Sequence, residues 1–122
     1  MRQPCIVGVA DAKIDERGCV EKDSSVLSIQ KECATEALKS AGLSFKDIDG
    51  IAVAGLWGMP GPGVMQPNLL CEYLGISYPK WLDGTNTGGS AFIFHLHHAY
   101  QAIINNNISS NLCKITAYYL SN

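Results

Sequence analysis

Charge is sparse in this chain. Of its 122 residues only 16% are Asp, Glu, Lys or Arg, and they leave a net charge of −2. There is therefore no basic footprint for nucleic acid. Long apolar runs are missing as well: no window of about eighteen apolar residues occurs, so no membrane span is expected. The N-terminus has no basic stretch leading into an apolar one, which argues against a secretory leader. The cysteines lack any pairing pattern. Cys5, Cys19, Cys33, Cys71 and Cys113 are scattered, odd in number and never at C-x-x-C spacing. That speaks against a disulfide framework or a zinc site and for reduced thiols in a cytoplasmic protein. Repeats and low-complexity tracts are absent apart from Asn105-Asn106-Asn107.

What is present is ordinary globular material. The 47% apolar content and the length fit one domain, residues 1–122, with a core of its own. Cys5 to Ala10 is a short β-branched apolar run and reads as a strand over 4–10, buried on both faces. Ile29, Cys33, Ala37 and Ala41, widened by Ala34 and Leu38, then repeat with helical period. Asp23, Ser24 or Ser25 can cap that helix, and Gly42 stands where a left-handed end residue belongs, with Leu43 placed for the accompanying apolar contact. A second buried strand is expected over 50–55, followed by a glycine- and proline-rich loop over 55–66. Pro67 can open a short helix with Leu70, Tyr73 and Leu74 on one face and Gly75 at its end. A third strand is expected over 79–83 and a long helix over 88–105, its apolar stripe Phe92, Leu96, Ala99 and Ile103. Leu112 to Leu120 reads as a fourth strand. This alternation implies an α/β fold with a mostly parallel sheet and flanking helices, its working surface beyond the carboxyl ends of the strands.

Thr85-Asn86-Thr87-Gly88-Gly89-Ser90 is the most informative stretch. Glycines and a hydroxyl residue at a helix start present backbone N–H groups backed by the helix dipole, a cradle for a phosphate or an oxyanion. The same residues can equally make a tight strand-to-helix joint with Ser90 as N-cap. No lysine follows the glycines, so this is not a P-loop, and Gly58-Met59-Pro60-Gly61 lacks the spacing of a dinucleotide fingerprint. His95 and His98 share a helix face while His97 points elsewhere. With no carboxylate near them in sequence they read as interface histidines bonded to backbone or neighbours, and no metal site is expected. Asp11, Asp15, Glu16 and Glu21 form a solvated loop without an acid–base pair.

Several short stretches together resemble one family. Val7-Gly8-Val9, Ala37-Leu38-x-x-Ala41-Gly42-Leu43 and Asp47-Ile48-Asp49-Gly50-Ile51 resemble the first third of the thiolase superfamily. Tyr73-Leu74-Gly75-Ile76 and Ala99-Tyr100-Gln101-Ala102-Ile103 fit the same register. Thr87-Gly88-Gly89-Ser90-Ala91-Phe92, with His95 and His98-Ala99 following, looks most like the sterol-carrier-type thiolases and lipid-transfer-protein-like acetyl-CoA acetyltransferases. The resemblance covers residues 4 to 106. It implies an acyl-CoA enzyme of lipid metabolism built from two similar α/β halves, of which this chain is the N-terminal one, a partial domain or a fragment. It also implies an acyltransferase or carbon–carbon bond chemistry on acyl-CoA, a homodimer, an OB-fold partner protein for some relatives, and no cofactor beyond the coenzyme A thioester substrate.

The family nucleophile is a cysteine at the start of the third helix, and its position falls here near Gly89 and Ser90. None of the five cysteines is close. No intact catalytic residue is therefore expected, and Thr87, Gly88, Gly89 and Ser90 are the expected substrate-binding residues. Ser90 is a poor replacement nucleophile, because His95 stands about 7.5 Å further along the helix axis. An acyl-CoA enzyme inactive by itself, a non-catalytic acyl-CoA or lipid-binding relative, and an inactive remnant are the three readings.

Overall fold

A computed structural model describes residues 3–54 and 65–105. Helix α1 (Val26–Ser40) is followed by a 3-10 turn (Phe45–Asp47), strand β1 (Gly50–Ala52), helix α2 (Gln66–Leu74), strand β2 (Trp81–Asp83) and helix α3 (Ala91–Ile104). Each helix has a local reason for its ends. Ser25 caps α1: its hydroxyl accepts from the Ser28 amide at 3.1 Å, and the Ser28 hydroxyl sits 2.8 Å from the Ser25 amide. This reciprocal box satisfies two of the donors that a helix start leaves over. At the far end Gly42 takes a φ of +69°, which only glycine adopts without strain. The Gly42 amide then bonds Lys39 O and the Leu43 amide bonds Leu38 O, closing the left-handed cap. The end of α2 repeats the device, with Gly75 left-handed and the Ile76 amide on Cys71 O at 2.9 Å.

β1 and β2 are parallel, in the register Gly50 with Trp81, Ile51 with Leu82 and Ala52 with Asp83. The ladder runs one bond further, since the Val53 amide reaches Asp83 O at 2.9 Å. Parallel strands need a crossover, and α2 supplies it. Leu38 of α1, Ile51 and Val53 around β1, and Leu70, Leu74 and Ile76 around α2 form one apolar cluster. The expected α/β architecture, a parallel sheet with flanking helices, is what the chain adopts.

Three expectations change. The run over 4–10 is not a strand of the sheet, and the described sheet has two strands. Ile6, Val7 and Val9 are largely exposed, so the run lacks the covered faces and cross-strand pairs that turn β-propensity into a strand. It rides instead on α1, where a Cβ on Gly8 would come 2.2 Å from Ala37 O. Tyr73 is exposed rather than buried with Leu70 and Leu74, and its ring lies under the Lys31 ammonium at 5.6 Å. In α3 the buried residues are Ala91, His95, Ala99 and Ala102; Ala99 is buried as expected, while the other three stand one step round the helix from Phe92, Leu96 and Ile103. Leu96 is exposed. Together with Phe92 and Ile103 it lines an apolar cavity of about 460 Å³, whose other walls include Val7, Ala37 and Ile51. Most of the loop 55–66 and the strand expected over 112–120 lie outside the described residues.

Candidate functional site

Asp83 ends β2 and Thr85 begins the turn into α3, so both stand at the carboxyl end of the parallel sheet, where α/β folds place their sites. The Asp83 carboxylate is nine-tenths buried and fully occupied. Oδ1 accepts from the Thr85 amide at 2.8 Å and from the Thr85 hydroxyl at 2.6 Å. Oδ2 lies 2.6 Å from His98 Nδ1. Burial pushes this carboxyl up, but the Thr85 bonds, the His98 bond and the nearby His95 pull harder, and it ends below the usual carboxylate range.

His95 is fully buried and its Nε2 lies 2.8 Å from the Thr85 carbonyl. A carbonyl only accepts, so Nε2 carries a proton, and Nδ1 is buried without a partner among the described residues. The two histidines therefore do sit at a helix interface, bonded to backbone and to a neighbour as expected. The carboxylate that sequence spacing did not supply arrives from fifteen residues away. The one signal available was an acid at the end of an expected strand. His97 is exposed beside them, and no group of three or more metal-ligating side chains occurs among the described residues.

Thr87, Gly88, Gly89 and Ser90 are all exposed and lie together at the start of α3. Gly88 has a φ of +71°, whereas a Cβ on Gly89 would meet nothing within 4 Å among the described residues. The turn thus depends on glycine at 88 and leaves open space over 89. Ser90 stands at the N-cap position of α3 as expected, but its backbone is already helical and its side chain makes no cap bond. Its hydroxyl folds back to the Thr87 carbonyl at 2.9 Å. Neither buried thiol is near a nucleophile's position. Burial pushes both Cys33 and Cys71 up, which keeps them protonated and unreactive.

No family model matches the chain, and no curated protein does. Solved structures do share its fold. The Ltp2-ChsH2(DUF35) aldolase superposes with a TM-score of 0.64 at 19% identity, over 84% of this chain and 24% of that one. 3-Oxoacyl-(acyl carrier protein) synthase III, FabH, from Xanthomonas oryzae pv. oryzae gives 0.64 at 16% identity, over 84% and 40%. OleA from Xanthomonas campestris with bound lauric acid and lauroyl-CoA gives 0.59 at 18% identity, over 73% and 26%. The fold is thiolase-like, and the matches cover between 24% and 40% of the length of these proteins.

Proposed function

We propose that this chain binds acyl-CoA through the turn Thr87–Ser90, as part of a thiolase-type acyl-group protein. The observation that carries the reading is the exposed Gly88-Gly89 turn at the start of α3, just beyond the carboxyl end of β2. Backbone amides at such a start favour a phosphate without help from any side chain. The likeness to an acyl-carrier-protein synthase and to a protein holding lauroyl-CoA supports acyl thioesters as the ligand class. The resemblance in sequence further points to the sterol-carrier-type branch, to lipid metabolism, to a homodimer and to an OB-fold partner.

Thiolysis is not part of this proposal. No cysteine occurs between Cys71 and Cys113, so the turn holds no thiol, and the Ser90 hydroxyl donates to a carbonyl rather than to a base. The test is calorimetric titration of coenzyme A into the whole chain and into Gly89→Val. Open space over Gly89 lets the variant fold while its isopropyl group covers the amides. Binding by the wild type that Gly89→Val abolishes is the expected result. Equal binding by both, or none by the wild type, overturns it, and turnover of acetoacetyl-CoA would overturn the exclusion of thiolysis.

A further inference from the structure

The His98 ring has one nitrogen engaged and one unused. An ionised Asp83 can only accept a hydrogen bond, so the 2.6 Å contact places a proton on Nδ1 and leaves Nε2 outside the contact. Among the described residues Nε2 has no hydrogen-bond partner, and the side chain is 40% exposed against 10% for Asp83. A buried carboxylate that sets the tautomer of a half-exposed imidazole is the orienting half of a general-base device. His95 cannot serve, being fully buried with Nε2 committed to Thr85 O. Exposed His97 has no carboxylate partner among the described residues. Its ring centroid lies 6.3 Å from that of His98, and the Phe94 ring lies 6.2 Å from His98.

We propose that Asp83 and His98 form a catalytic dyad in which His98 Nε2 activates water against an acyl thioester. The thioester class rests on the acyl-CoA reading above; the dyad rests on its own geometry. Ser90, Phe94 and His98 follow one another at four-residue steps on one helix face, and all three are at least partly exposed. Ser90 and His98 are separated by about 12 Å along the axis. The pantetheine arm of coenzyme A separates its phosphates from its sulfur. One ligand can thus lie along α3, with phosphates at the Gly88-Gly89 turn, the arm across the exposed Phe94 ring and the thioester at His98.

The step balances without a further reagent. Water gives a proton to Nε2 as its oxygen bonds to the thioester carbonyl carbon. The C–S bond then breaks, and the imidazolium returns the proton to the departing thiolate, giving a carboxylic acid and a thiol. Asp83 stays ionised throughout and stabilises the imidazolium.

The test uses the whole chain with two probes, acetyl-CoA followed by thiol release and p-nitrophenyl acetate followed by phenolate release. His98→Asn keeps a side-chain N–H for Asp83 but removes the basic nitrogen. A drop of at least about tenfold on both probes is expected with unchanged melting, while His97→Asn stays within about twofold. Equal rates for wild type and His98→Asn, or no hydrolysis by the wild type, overturn the proposal. Nitrogen-15 shifts of the wild-type ring give a readout independent of variant folding: the Nδ1–H tautomer is expected, and a predominant Nε2–H tautomer refutes it. The two readings fail separately. Loss of the acyl-CoA reading removes coenzyme A binding but leaves His98-dependent cleavage of p-nitrophenyl acetate, whereas loss of the dyad leaves coenzyme A binding intact.

Discussion

The Asp83 carboxylate is buried and holds three hydrogen bonds, and its pH behaviour follows from them. Its folded pKa lies below the ordinary value of about 3.9, so it contributes stability that is fully present above that value. The contribution is lost as pH falls through the folded pKa. Wild type should therefore melt above Asp83→Asn at pH 7, with the gap closing below about pH 4. A gap independent of pH counts against the assignment. Gly8 makes the opposite kind of contact, one in which a side chain is forbidden. A Cβ there would stand 2.2 Å from Ala37 O, and a helix carbonyl cannot rotate away. Gly8→Val is expected to destabilise by about 1–3 kcal/mol in denaturant, whereas Gly89→Val, with nothing within 4 Å, should leave the midpoint in place.

The helices show how much was legible. The end of α1 could be read from sequence at Gly42, and its start narrowed to Asp23, Ser24 or Ser25, because caps are local: Ser25, Ser28 and Gly42 act within a turn of the helix they bound. Ser25→Ala should cost about 1 kcal/mol, measured by denaturant unfolding, and no loss would mean the capping box is idle. The parallel pairing of 50–52 with 81–83 followed from alternation of elements. The strand expected over 4–10 did not form, because propensity is local while pairing depends on neighbours far along the chain. The buried face of α3 misled for a related reason. Hydropathy puts Phe92 and Leu96 inside, yet His95 is the residue buried, because the Thr85 carbonyl gives its ring a partner. The site divides in the same way. The glycine turn could be read from four consecutive residues, whereas the Asp83–His98 pair joins two elements and left no mark in spacing.

At the scale of the molecule, the apolar surface is unevenly covered. Ile6, Val9, Tyr78 and Ile93 are each more than two-thirds exposed, and β2 has one ladder neighbour, β1, among the described residues. Exposed apolar side chains and a strand with a single described neighbour both favour association with a second chain. The chain expressed alone should sediment as an associated species, and a sharp monomer with cooperative melting would contradict this. The parallel ladder has one more consequence, for the route by which the chain folds. Gly50 meets Trp81 with all of α2 between them, so no hairpin can nucleate the sheet. Loop-closure entropy must be spent before any strand–strand bond forms, and docking of α2 through Leu70 must come first or together with it. Leu70→Ala should accordingly slow refolding by most of its equilibrium effect, while Ser25→Ala, at the outer end of α1, should mainly speed unfolding. Stopped-flow chevrons of the two variants would reveal the reverse order if the sheet closed before the helix.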